Sequence, residues 1–224
     1  MNEQNVAVPR SGRKALEAFL VYPEGGDQLP GMVVVHEILG LNDDIRDIAR
    51  RFASAGYAAL AVDLFSTGSR AICMLRIFHG MLIRPLNNGV VGDLRRALVY
   101  LGGLVQVDAD RIGAVGFCMG GTFALQLACV DDDLKASAVF YGMNPRPLEA
   151  VAQACPIVGS YPGEDFTARA ARQLEPALER YDVPHDIKVY PGAKHSFFNQ
   201  GGRYESEAAE DAWKRMNSFF EKYL

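Results

Sequence analysis

The sequence predicts an α/β fold: a mostly parallel central sheet flanked by helices on both faces, in a single domain over residues 1–224. Three observations lead there. Short β-rich runs alternate with amphipathic segments along the chain. Runs such as Met32–His36 are apolar almost throughout, as strands buried on both faces require. No repeat, low-complexity tract or linker divides the 224 residues.

The elements follow in order. Ala18–Tyr22, closed by the turn cluster Pro23–Gly26, reads as an early antiparallel strand, and Met32–His36 as the first buried one. A helix comes next. Asn42 or Asp43 caps it, Ile45, Ile48, Ala49 and Phe52 share one face, and Gly56 ends it. Tyr57–Phe65 is a further buried strand. Residues 66–92 are less regular: Ile72–Ile83 has the composition of an apolar helix, broken by Pro85, Asn87, Asn88 and Gly89. An insertion of that length between strand and helix suits a cap over a site, although a plain surface excursion fits it equally.

From Asp93 the alternation resumes. Leu94, Ala97, Leu98 and Leu101 line a helix that stops at Gly102–Gly103, before a strand at Ile112–Phe117, a helix at Met119–Val130 and a strand at Ala136–Tyr141. Pro156–Tyr161 is a strand, Leu174, Leu178 and Tyr181 mark a helix face, and Ile187–Tyr190 is the last strand. Ala209, Trp213, Met216, Phe219 and Tyr223 stripe the final helix.

Composition narrows the function classes. With 49% hydrophobic and 22% charged residues, the chain carries enough apolar material for a core without staples. A net charge of −4 leaves no basic footprint for nucleic acid or an anionic membrane. No apolar run reaches the ~18 residues of a membrane span, and the first residues lack the apolar core of a secretory signal. Cysteines 73, 118, 129 and 155 form no C-x-x-C pair, so free thiols in the cytoplasm are expected and a metal site is not.

The most informative stretch is Gly116-Phe-Cys118-Met-Gly120-Gly121, between a strand and a helix. In α/β-hydrolases the nucleophile occupies such a turn, where flanking glycines avoid clashes. At a helix N-terminus the dipole and free N–H groups favour a thiolate, so a lowered Cys118 pKa is expected, with the Met119 N–H left for an oxyanion. The alternative is a buried structural cysteine beside tight strand–helix packing.

A thiol gains from a base. Of four histidines, His195 follows the last strand, in a loop beyond the C-terminal edge of the sheet. Its orienting acid belongs after the preceding strand, where Asp165 is preferred and Glu164 is the fallback. Cys, Asp, His is the hydrolase order along the chain. After the first buried strand comes His36-Glu37-Ile38-Leu39-Gly40. It is not H-E-x-x-H, because Gly40 stands where the second histidine would be. In this layout Ile38 donates the second oxyanion N–H and Glu37 points toward the thiol.

At this point the chain resembles the dienelactone hydrolase (carboxymethylenebutenolidase) family. The matching residues are H-E-I-L-G-L-N at 36–42, the run at 45–65, G-F-C-M-G-G at 116–121 and H-S-F-F-N at 195–199. The resemblance implies Cys118 as nucleophile, His195 as base, Asp165 as its orienter and Ile38 and Met119 as oxyanion donors. It implies Glu37 as the glutamate that holds the resting thiol and moves when substrate binds, and no metal or cofactor.

One position departs from the family. Dienelactone enzymes carry an arginine four residues after the catalytic histidine, and this chain has Asn199. An amide does not replace the charged, bidentate grip of a guanidinium on a carboxylate. Arg76, Arg84 and Arg203 are the other candidates for substrate binding. The expected substrate is a small, more hydrophobic ester or lactone rather than dienelactone. Alternatives are a thioesterase or aryl esterase, or a scaffold that binds a small molecule without turning it over.

Overall fold

The computed structural model describes residues 1–84, 86–201 and 203–224. Eight strands form one sheet: β1 (Asn2–Val8), β2 (Leu16–Tyr22), β3 (Leu29–Val35), β4 (Ala58–Val62), β5 (Val107–Phe117), β6 (Ala136–Phe140), β7 (Ile157–Pro162) and β8 (His185–Tyr190). Their order is β1-β2-β4-β3-β5-β6-β7-β8. Among the described residues only the β1–β2 and β2–β4 pairs are antiparallel. The six strands from β4 to β8 run parallel, so their C-terminal ends share one edge.

The helices are α1 (Asp43–Ser54), α2 (Arg70–Leu82), α3 (Gly89–Gly102), α4 (Met119–Ala128), α5 (Ala168–Arg180) and α6 (Ser206–Tyr223). Alternation along β3 shows why they take both faces. Val33 and Val35 enter one core with α3, α4 and α5; Met32 and Val34 enter the other with α1 and α6. Asn42 caps α1, its side-chain oxygen accepting from the Ile45 N–H at 3.1 Å.

Several boundaries differ from expectation, each for a local reason. β1 has no apolar pattern, because only Val8 of its seven residues is buried. It is a polar edge strand, held in part by Arg50 reaching Glu3 at 2.8 Å. β5 starts earlier than Ile112, and its register against β3 jumps from Asp108 to Ile112 across a bulge. The buried stripe of α6 is Ala209, Ala212, Met216 and Phe220, rotated from the expected set so that Trp213 and Phe219 lie at its flank.

Residues 66–92 contain more helix than the breakers suggest. Ser69 caps α2, which runs to Leu82. Asn88 caps α3, which begins before Asp93. Asp93 does not open a helix; it is wholly buried within one. Arg76 Nη1 lies 2.7 Å from its Oδ2, and Arg10 Nε lies 2.7 Å from its Oδ1 as a charge contact rather than an aligned hydrogen bond. This cluster ties α2 and the segment after β1 to α3. Among the described residues no helix is long and apolar enough to cross a membrane.

Candidate active site

β5 delivers Cys118 to the C-terminal edge of the sheet, and α4 begins at the next residue. The turn between them is strained: Cys118 has φ 55° and ψ −116°, a conformation that costs of order 1–3 kcal/mol outside glycine. The glycines around it are there for space. A Cβ on Gly116 would lie 2.1 Å from the Gly120 carbonyl oxygen. One on Gly120 would lie 2.3 Å from that of Val35. Helix α4 therefore starts in backbone contact with the ends of β5 and β3, leaving Cys118 at the tip.

Asp165 and His195 come from the loops after β7 and β8. The His195 Nδ1 is in hydrogen-bond contact with Asp165 Oδ2, which also accepts from Thr167 Oγ1 at 2.9 Å. Glu164 is exposed and makes no such contact; its backbone N–H goes to the Ala193 carbonyl. Phe166 lies nearly parallel to the His195 ring, 5.9 Å away at 14°, and Tyr141 borders the ring at 4.9 Å. The other histidines are placed elsewhere. His36 is fully buried, accepts from the Leu64 N–H at 3.0 Å and bonds the Glu37 carbonyl at 2.6 Å. Burial holds its pKa down, so it is a neutral tie between β3 and the loop after β4.

Cys118 and His195 line one cavity of about 210 Å³. Its far wall is α2, contributing Met74, Ile77, Phe78 and Met81, and its near wall includes Ile38 and Met119. The expected substrate-binding residues are not among its lining. Arg76 is committed to Asp93 and to the Leu64 carbonyl. Arg84 stands exposed beyond the end of α2. Arg203 borders a separate surface depression beside Lys194. Asn199 is 4% exposed and faces the interior, within 3.4 Å of the Tyr141 hydroxyl. Among the described residues the cavity wall is thus apolar, without an arginine or lysine.

Glu37 sits at the start of the loop after β3, in a network that sequence pattern does not announce. Ser196 Oγ donates to its two carboxylate oxygens at 3.0 and 3.2 Å, and Tyr141 and Asn199 also bond it. Burial nonetheless raises its pKa. Ser196 takes a left-handed φ of 65° directly after His195, which turns the two side chains to different partners.

The expected lowering of the Cys118 pKa is overturned. Burial pushes the thiol up to about 11, and the charge of Glu37 adds to the rise. The Met119 N–H acts in the opposite direction but is outweighed. The helix terminus and the nearby Glu37 were legible in the sequence; the burial that dominates the shift was not. Alkylation of Cys118 by iodoacetamide, followed by peptide mass spectrometry, should therefore climb from pH 8 to pH 10 instead of levelling off below pH 8. Glu37→Gln removes a repelling charge, favours the thiolate and should speed labelling severalfold at pH 8. A plateau below pH 8 in the unsubstituted protein would contradict this placement of charge. Cys129, raised to about 12 by burial, should label later than Cys118.

The strand order, the strained elbow and the loops at the C-terminal edge are those of the α/β-hydrolase fold, and the protein is of that class. Comparison narrows it further. The model of the dienelactone hydrolase family matches residues 16–224, and the chain belongs to that family. It is accordingly a hydrolase of the ester- and lactone-cleaving kind. It is 34% identical over 260 aligned positions to a "Putative carboxymethylenebutenolidase" of Saccharolobus solfataricus, covering 98% of each chain. A protein of the same name from Methylorubrum extorquens is 30% identical, with 93% of this chain and 77% of that one covered. Among solved structures, a "Putative Dienelactone Hydrolase" from Klebsiella pneumoniae superposes with a TM-score of 0.85 at 26% identity, covering 99% of both chains.

Proposed function

We propose that the protein hydrolyses carboxylic esters or lactones whose acyl part is apolar and uncharged, with Cys118 as nucleophile. The observation that carries this reading is the shared cavity. A partly buried thiol on a strained elbow and an imidazole already paired with Asp165 open onto the same small apolar space.

The steps follow from that arrangement. Asp165 holds the Nδ1 side of His195, leaving Nε2 to take the Cys118 proton as sulfur attacks the carbonyl carbon. The carbonyl oxygen becomes an anion stabilised by the N–H groups of Ile38 and Met119. Collapse breaks the C–O bond, and the alcohol leaves with the proton from His195. Water, deprotonated by His195, then attacks the thioester and releases the carboxylic acid and the thiol. A thiol this reluctant to ionise stays protonated until the carbonyl arrives. Glu37, held by Ser196, Tyr141 and Asn199, maintains that resting state. Helix α2 acts as the cap over the acyl part.

Acyl size and charge supply the test. A dry cavity of about 150 Å³ accepts benzene, so one of about 210 Å³ suits a slightly larger apolar group. Among 4-nitrophenyl esters, the hexanoate should be cleaved faster than the hemisuccinate, whose acyl carboxylate would enter the cavity unpaired. His195→Ala should reduce both rates to near background. Turnover by the unsubstituted protein no greater than by His195→Ala, across short and long esters and lactones, would favour a binding scaffold instead.

A further inference from the structure

A second groove adjoins the catalytic cavity, and its chemistry differs. It measures about 650 Å³, and Met143 and Phe166 belong to the walls of both. Beyond them it is bordered by Arg146, Arg169 and Gln173, and no Asp or Glu lines it. Neither guanidinium has an acidic partner among the described residues. By contrast Arg76 is held by the buried Asp93 and Arg50 by Glu3. Two unpaired guanidinium groups bordering a groove with no acid are suited to an anion, because their N–H forks match carboxylate and phosphate oxygens.

The position of the groove says which part of a substrate enters it. The leaving group departs with the proton carried by His195, so its remainder extends past the imidazole. Phe166 lies flat against that ring and forms the shared wall. On the other side, the apolar cavity under α2 takes the acyl part. We infer that Arg146 and Arg169 bind an anionic group, carboxylate or phosphate, on the alcohol or thiol portion of the substrate. This rests on the catalytic reading above and extends it to a substrate class: an apolar acyl group esterified to an anionic leaving group. The cation missing at Asn199 is supplied on the opposite side of the scissile bond.

The test uses three hexanoyl esters with one acyl group and related phenols: those of 4-hydroxybenzoate, of 4-hydroxyphenyl phosphate and of the neutral 4-hydroxybenzamide. The unsubstituted protein should prefer the anionic esters, and added salt should weaken the preference. In an Arg146→Gln/Arg169→Gln double variant the ratio of kcat/KM for anionic over neutral ester should fall about tenfold, through KM. The benzoate and phosphate arms rank the two anions. A ratio unchanged by the double substitution overturns the inference.

Binding is measured separately by titrating phenyl phosphate and benzoate into Cys118→Ala by calorimetry, with and without the two arginine substitutions. Arginine-dependent binding without cleavage of any ester would uphold the groove and refute the catalytic reading. Cys118-dependent cleavage with no anion preference, and no arginine-dependent binding, would do the reverse.

Discussion

Replacing Cys118 with alanine should lower kcat/KM for 4-nitrophenyl hexanoate by about 10⁴-fold or more while leaving the fold intact. In the proposed mechanism the chemical loss is large, because every covalent step passes through the sulfur. The structural loss is small for two reasons. Alanine keeps the Cβ, so the demands of the φ 55° turn do not change. The sulfur faces a cavity rather than a filled core, so its removal deletes few packed contacts. Stopped-time product assays give the first quantity, and circular dichroism with thermal melting gives the second. A variant that keeps native melting and half the activity would remove Cys118 from the mechanism.

Gly120→Ala should do the opposite, damaging the fold and activity together. A Cβ there meets only backbone: the Val35 oxygen at 2.3 Å and the His36 oxygen at 2.6 Å. No side chain can rotate to relieve these contacts, so α4 must shift away from β3 or the chain must open. Overpacking of a tight core costs about 1–3 kcal/mol, and a clash with rigid backbone belongs at the upper end or beyond. Urea denaturation should show a loss of about 3 kcal/mol or failure to accumulate folded protein. Because β3 leads directly into Glu37 and Ile38, any folded fraction should be less active per molecule. Unchanged stability would mean that the elbow is looser than these distances imply.

How much of this was legible in the sequence depended on whether the determinant was local. The buried strands were legible because Met32–Val35 and Ile112–Phe117 are runs without polar interruption, which only a sheet covered on both faces can absorb. The elbow was legible from G-x-C-x-G-G because strand, glycine-flanked cysteine and helix follow one another directly, although Gly120 answers to Val35 and His36 far away in sequence. The chain order of Cys118, Asp165 and His195 was legible because each follows a strand. What escaped was non-local. β1 hid because a polar edge strand has no apolar period to detect. Asp93 resembled a resumption of the helical pattern, and its real partners are arginines 17 residues before it in α2 and 83 before it after β1. The Cys118 thiol was misjudged because its pKa answers to burial and to Glu37 in the loop after β3. The groove of Arg146 and Arg169 escaped for the same reason. Arg146 stands in the segment after β6 and Arg169 in the first turn of α5, and the two border one groove only because β6 and β7 pair.

The proposed mechanism depends on one covalent bond, between the Cys118 sulfur and the acyl carbon. Rapid mixing with a 4-nitrophenyl hexanoate excess, acid quench within milliseconds and peptide mass spectrometry observe that bond directly. The expected result is a hexanoyl group on the peptide that contains Cys118, labile to hydroxylamine as a thioester is. A hexanoyl group on a different residue during active turnover would contradict it.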